Sequence, residues 1–224
     1  MNCFLCLNNT WQPLNEDYVK CDCGMIKVKE MPNADLYLFE NYCAYQTKNG
    51  YLPYYLRFDT DYDIAKARLN HLVTYIQSGK LIDIGAGGGA FVKCANDNGF
   101  NAVGYEVDWL SALVSSRISK SYISSSIECE NYDIVTMFDV IEHQLNPLDV
   151  PKCNYLHLEL PLYNSNIEWK HFKPMEHIWC FTQTTLETFI RKIGFSIVRL
   201  YVPSKLDGEL LDEKVGLIAK RIQK

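Results

Sequence analysis

The chain has 224 residues, 48% hydrophobic and 22% charged, with a formal net charge of −5, which reads as an ordinary globular protein with one sizeable core and room for a small appendage. The charge argues against a dedicated non-specific nucleic-acid binder, and no apolar run approaches the roughly 20 residues that span a bilayer. The start, MNCFLCLNNT, has neither the basic nor the apolar region of a secretory signal, so a cytoplasmic protein without a membrane partner is expected.

Nine cysteines, an odd number, fit a reducing compartment in which thiols bind metal or are buried. Cys3, Cys6, Cys21 and Cys23 form two close pairs, CFLC and CDCG, fourteen residues apart. A short hairpin that joins such pairs assembles a tetrahedral Cys₄ zinc site, and Gly24 permits the turn after the second pair. A redox CxxC normally opens a helix, whereas Pro13 and polar residues follow here. Residues 1–30 are therefore expected to be a zinc-ribbon-like module. The C-x-C pair departs from the usual spacing, which leaves room for a ligand from elsewhere. Cysteines 43, 94, 129, 153 and 180 are scattered and read as buried hydrophobes.

Residues 31–59 are crowded with tyrosines, without clean periodicity, and read as a connecting or lid segment. The spacing then predicts a helix over 61–78, with Ala65, Leu69, Leu72, Val73 and Ile76 on one face and Gly79 at its end. From Lys80 the pattern alternates. KLIDI, NAVGYEV, SYISSSI, YDIVTMF and NYLHLELPL read as strands, with helices at GAFVKCANDNG and at DWLSALVSSRI, which Asp108 caps. A helix at TTLETFIRKIG, with capping-box spacing from Thr184 to Glu187, precedes strands FSIVRLYV and KVGLIAKRI, joined by SKLDGELLDE. This alternation predicts an α/β fold with a doubly wound, mostly parallel, Rossmann-like sheet over 60–224.

The stretch LIDIGAGGGAF, with four glycines between 85 and 89, follows the first strand, where such sheets bind ligands. It lacks the lysine and hydroxyl of a triphosphate loop. It satisfies the G-x-G-x-x-A of a dinucleotide loop, with Glu106 near the ribose-binding distance. However, Asp83 at the strand end is awkward beside a pyrophosphate and suits an ammonium group, and little chain remains for a substrate domain. D-x-G-x-G-x-G, an acid after the second strand, and FDVIEH after the fourth together resemble the class I S-adenosylmethionine-dependent methyltransferases. Within them, the small-molecule branch of ubiquinone-biosynthesis and deoxysugar methyltransferases is the nearest. The resemblance covers roughly residues 60–202. It implies that Asp83, Gly85, Gly87 and Gly89 frame the methionine end of the cofactor and that Glu106 holds the ribose hydroxyls. By the same resemblance Val107 lies against the adenine and Phe138 borders the pocket. The connection QLNPLDVPKC is shorter than the family's helix at that place, so one face of the sheet is expected to be covered by the tyrosine-rich segment or another subunit.

In this chemistry the cofactor carries the reactive methyl group, and the protein supplies alignment and any base. His143 and His177 are the candidate catalytic residues, with His171 beside them and His157 read as structural. Lys170 to Lys205 has six Lys or Arg against Glu176 and Glu187, either a handle for an anion or an ordinary charged surface. Trp169 and Trp179 either stack on a ring or fill the core. A zinc module before such a core is similar to some deoxysugar methyltransferases and to a ribosomal-RNA guanine methyltransferase, but three lysines against four acids in residues 1–30 do not favour RNA. The expected function is methyl transfer to an oxygen, nitrogen or carbon of a small, anionic acceptor such as a nucleotide-linked sugar. The alternatives are an RNA or DNA methyltransferase and a non-catalytic binding module.

Overall fold

The protein is described by a computed structural model covering residues 2–127, 131–165, 168–203 and 213–223. Strands β1 (Trp11–Pro13), β2 (Tyr18–Cys21) and β3 (Ile26–Val28) form an antiparallel meander that carries the cysteine pairs. The tyrosine-rich segment contributes a 3₁₀ turn at Ala34–Tyr37, helix α1 (Phe39–Lys48) and a second 3₁₀ turn at Tyr54–Leu56. Helix α2 follows as Phe58–Leu72, beginning and ending earlier than the sequence pattern suggests. Its buried face is Ala65, Leu69 and Leu72, whereas Val73 and Ile76 reach the same core from the turn beyond.

The alternating block then runs β4 (Lys80–Ile84), α3 (Ala90–Asp97), β5 (Asn101–Tyr105), α4 (Trp109–Ser119), β6 (Ile123–Ser124), β7 (Tyr132–Phe138) and β8 (Cys153–Pro161). After it come β9 (Trp179–Cys180), α5 (Gln183–Lys192), β10 (Phe195–Tyr201) and β11 (Lys214–Arg221). Asp108 caps α4 as expected, its carboxylate accepting the Ser111 N–H at 2.9 Å. At α5 the cap lies two residues earlier than the sequence spacing implies. Thr182 and Thr185 exchange hydroxyl and N–H bonds, while Glu187 accepts from Gln183 on the exposed face. Thr182 follows directly on Phe181, whose burial anchors the chain there.

The seven-stranded sheet has the order β10-β11-β8-β7-β4-β5-β6. β4, β5, β6, β7 and β8 run parallel, and β11 and β10 add an antiparallel edge. The order reverses at β4, which lies between β5 and β7, so a crevice opens at the carboxyl ends of β4 and β7. Between β7 and β8 the chain makes only a 3₁₀ turn, Ile141–His143, and an irregular run through Pro147 and Pro151.

The cysteine-bearing meander does not stand apart from the sheet. β3 pairs with β9, which lies in the chain between β8 and β10 of the large sheet, and the Val28 N–H donates to the Ile178 carbonyl at 2.9 Å. The Tyr18 hydroxyl donates to the His177 carbonyl at 3.1 Å. Phe4 packs edge-on to Trp179 at 4.8 Å and against Phe181 and Phe189, so one hydrophobic core runs from Cys3 to Ala219. Trp169 and Trp179 are both buried in that core.

Candidate active site

β4 is apolar up to Asp83 because both faces of the strand are covered. Asp83 is itself buried, and burial lifts its carboxyl to about 7 although the Thr136 hydroxyl, 2.6 Å away, and Arg68 favour the anion. The chain then turns through Gly85 at φ +69° and Gly87 at φ +54°. A Cβ on Gly85 would come within 2.5 Å of a Val140 methyl carbon, so this position requires glycine for space as well as for conformation. The Gly85 and Ala86 N–H groups donate to the Tyr105 carbonyl, which fixes the loop to the end of β5. One residue on, the Glu106 carboxylate accepts the Gly87 N–H. Burial raises Glu106 to about 7, against the pull of that N–H, and Asp83 raises it further.

Two cavities meet over this loop, sharing Tyr54, Gly85, Gly87, Phe138 and Asp139 in their walls. One, of about 580 Å³, reaches past Asp83 toward Arg57, Arg68 and Glu159. The other, of about 480 Å³, contains Glu106 and Val107 on one side and His143 on the other. Val107 is 60% exposed at its rim. The tyrosine-rich segment forms the roof. The Tyr54 ring lies over Gly87, and a Cβ on Gly88 would meet the Tyr54 carbonyl at 3.2 Å. Tyr54 is tied to Tyr42 of α1 by a 3.2 Å hydroxyl contact. The sheet face beside the short β7–β8 connection is covered differently from the expectation: Ile82, Val135, Met137, Leu156 and Leu158 pack in one core with Phe4, Trp179 and Phe181, so the N-terminal segment and not the tyrosine-rich one lies against it.

Asp139, which the sequence reading did not single out, ends β7 at φ +56°, a conformation that Asp tolerates better than most residues and that recurs at functional sites. Burial would raise its carboxyl, but Lys214, with Nζ 2.6 Å from both oxygens, overrides this and holds it at about 2. The Arg68 guanidinium lies 2.6 Å from a Glu159 oxygen and over the Phe138 ring, and the Tyr201 hydroxyl donates to the other oxygen at 2.8 Å. His157, buried, meets Tyr201 at 2.7 Å, consistent with a structural place. Arg68 could not be found from the sequence because it looks like one more charge on an amphipathic helix.

His143 and His177 come together with their rings 4.8 Å apart and nearly perpendicular. His143 lines the 480 Å³ cavity, while His177 is buried behind it. Burial lowers the pKa of both imidazoles from the ordinary value, which favours their neutral forms. His171 stacks on His177 at 6.1 Å and offers it a carbonyl. The basic residues expected to flank the site disperse. Lys170 pairs with Glu213, Lys173 with Glu176, and Lys192 donates to the Leu5 carbonyl. Lys205 lies outside the described residues, as does Cys129.

The sulfurs of Cys3, Cys6, Cys21 and Cys23 all lie within 4.8 Å of one another, with Cys3–Cys23 and Cys6–Cys21 at 3.5 Å. Four thiolates bound at about 2.3 Å around a tetrahedral ion sit some 3.8 Å apart. The two closest pairs stand near that spacing, and the cluster has the donor set and the size of such a site. Gly24 makes the turn beside it at φ +92°. Cys94, Cys153 and Cys180 are buried free thiols, as expected, and Cys43 is half-buried on the wall of the smaller cavity.

A sheet of this order, with a glycine loop after its first strand and an acid after its second, is the architecture of class I S-adenosylmethionine-dependent methyltransferases. Residues 59–200 match the family model described as a methyltransferase domain, and the chain belongs to that family. No curated protein sequence matches it. Among solved structures, an S-adenosylmethionine-dependent methyltransferase from Archaeoglobus fulgidus is 16% identical with a TM-score of 0.58, the match covering 80% of this chain and 99% of that one. The 1,6-didemethyltoxoflavin-N1-methyltransferase of Burkholderia thailandensis, bound to 1,6-didemethyltoxoflavin and S-adenosylhomocysteine, is 12% identical with a TM-score of 0.56, covering 95% and 99%. Magnesium protoporphyrin IX methyltransferase from Synechocystis PCC 6803, bound to S-adenosylhomocysteine, is 14% identical with a TM-score of 0.56, covering 73% and 84%. At these identities the likeness is one of fold.

Proposed function

We propose that this methyltransferase acts on a small acceptor held in the roofed cavity beside His143, and that S-adenosylmethionine lies across the glycine loop. The cofactor supplies an electrophilic methyl group on a sulfonium; the remaining work falls to the chain. Asp83 receives the ammonium end, with Gly85, Gly87 and Gly89 giving close backbone approach. Glu106 accepts from the ribose hydroxyls, Val107 lies along the adenine at the exposed rim, and Phe138 closes the wall between the two cavities. The observation that carries this reading is the junction of the two cavities over Gly85 and Gly87, with buried Asp83 on one side of the loop and half-buried Glu106 on the other. The Tyr54 roof excludes water from the space where the methyl would pass.

His143 meets the acceptor in this reading, and His177 supports it from behind. Arg57 lines the larger cavity, where it pairs with Asp61 at 3.0 Å and lies over the Tyr54 ring; an anionic handle that reaches across the cavity junction, such as the phosphate of a nucleotide-linked sugar, would compete with Asp61 for its free guanidinium edge. Engagement of Lys170, Lys173 and Lys192 within the chain favours a small acceptor over nucleic acid. We assign zinc to Cys3, Cys6, Cys21 and Cys23, in a module of residues 1–30 ahead of a connecting lid, 31–59, and a methyltransferase domain, 60–224. The ion staples a segment too short for its own core.

The test is incubation of the protein with isotope-labelled cofactor and a small-molecule extract, followed by mass spectrometry. A labelled small product, lost in the His143→Ala variant by roughly 10²–10⁴-fold, is the expected result. Label appearing only in RNA, DNA or protein would overturn it.

A further inference from the structure

Glu142, His143 and His177 form a cluster that methyl transfer does not by itself require. Glu142 is 1% exposed, and neither of its carboxylate oxygens has a hydrogen-bond partner among the described residues. A buried carboxylate without donors is costly and calls for a positive partner. The two imidazoles do not supply one. His143 Nδ1 lies 2.9 Å from the Glu176 carbonyl, and His177 Nδ1 lies 2.8 Å from the His171 carbonyl. The Tyr37 hydroxyl, 3.0 Å from His143 Nδ1, donates to the same Glu176 carbonyl and so is free to accept from Nδ1. A carbonyl only accepts, so in the neutral rings each Nδ1 carries the hydrogen and each Nε2 keeps a lone pair. His143 Nε2 is 3.9 Å from Glu142 Oε1, too far for a hydrogen bond. One ligand atom from each of the three side chains lies within 4.8 Å of the others, and the Glu176 carboxylate stands 3.9 Å from His177 Nε2.

Backbone-tethered Nδ1 atoms are how ligating histidines are oriented. The Gln144 side-chain oxygen, another buried atom without a partner among the described residues, stands next along the chain, and Gln144 lines the same cavity as His143. Both elements that bring the ligands together are held from afar: the 3₁₀ turn Ile141–His143 by the Glu142 carbonyl, which accepts from Ile178, and His177 by the Tyr18 hydroxyl.

We propose that Glu142, His143 and His177 bind a divalent first-row transition cation whose open positions face the acceptor cavity, a site separate from the four cysteines. Two imidazoles and one carboxylate suit such an ion and leave coordination positions for an oxygen of the acceptor. At bond lengths of about 2.0–2.2 Å, a small inward rotation of the three side chains brings them onto one ion. The acceptor then carries an oxygen donor, which the cation orients; His143 and His177 act on it through the ion. This last point rests on the reading of the cavity as the acceptor's place. Cation binding itself does not.

The test uses manganese(II), which thiolate sites do not favour, added to the full chain with its cysteine site left as purified. Electron paramagnetic resonance should show about one ion taken up per chain, and pulsed spectra should show two imidazole nitrogens bound to it. Glu142→Gln and His177→Gln should each weaken uptake by at least about 10-fold, while calorimetry with S-adenosylhomocysteine reports whether each variant is folded and its cofactor site intact. No uptake by the wild-type chain, uptake without nitrogen coupling, or uptake unchanged in folded Glu142→Gln would overturn the site. Uptake with no labelled small product would leave the cation site standing and remove only the acceptor reading.

Discussion

The carboxylate of Glu106 accepts the backbone N–H of Gly87, so the acid that ends the second parallel strand also pins the loop that follows the first. In the cofactor placement we propose, both segments touch the cofactor, and fixing their spacing beforehand lowers the ordering cost of binding.

Glu106→Ala should weaken S-adenosylhomocysteine binding by about 1.5–3 kcal/mol, the worth of hydrogen bonds to a charged group. Calorimetry checks this. An affinity equal to wild type would mean that Glu106 only braces the loop.

Asp83 and Glu106 both stand at about 7 in the chain alone, above the usual carboxylate range near 4. Each raised pKa contributes stability that is fully present below the unfolded value and is lost as pH rises through the folded value. Thermal melts without ligand should therefore show these two acids removing stability between about pH 4 and 7. A ligand bearing an ammonium group prefers the anions, so its affinity should rise through pH 7 and level off above it. Calorimetry at pH 6, 7 and 8 would detect this, and an affinity that falls over the same interval would contradict it.

The pair Arg68–Glu159 has its carboxylate side chain 5% exposed and its guanidinium 21% exposed. Replacing Glu159 by leucine leaves Arg68 without its partner and should cost about 3–5 kcal/mol in urea unfolding. Arg68→Met together with Glu159→Leu should recover much of that loss, because the cost lies in the unmatched charge.

Cys6→Ser should lower zinc content below about one per chain, read by metal analysis. Because β3 pairs with β9 and Tyr18 holds the His177 carbonyl, hydrogen exchange should also speed up across residues 177–181. Exchange confined to residues 1–30 would show that the module does not steady the active-site segment.

What the sequence determined by itself is what local chemistry encodes. The alternation of strand and helix from Lys80, the turn made by Gly85 and Gly87, and the Asp108 cap all follow from residue preferences within a few positions, and so did the pairing of the cysteines by close spacing. That the glycine loop and Glu106 stand side by side was legible because both follow strand ends with fixed periodicity. The tertiary structure alone decided what depends on residues distant in the chain. The antiparallel edge of β10 and β11, the union of β3 with β9, and the start of α5 at Thr182 arise from packing in a shared core, for which no local pattern exists. The same holds for Tyr54 over the glycines and Arg68 against Glu159. Glu142 shows the difference most directly: in FDVIEH it is one more polar residue on a turn. Only the fold buries its carboxylate, without a hydrogen-bond donor among the described residues, and brings His177 beside it from beyond β8.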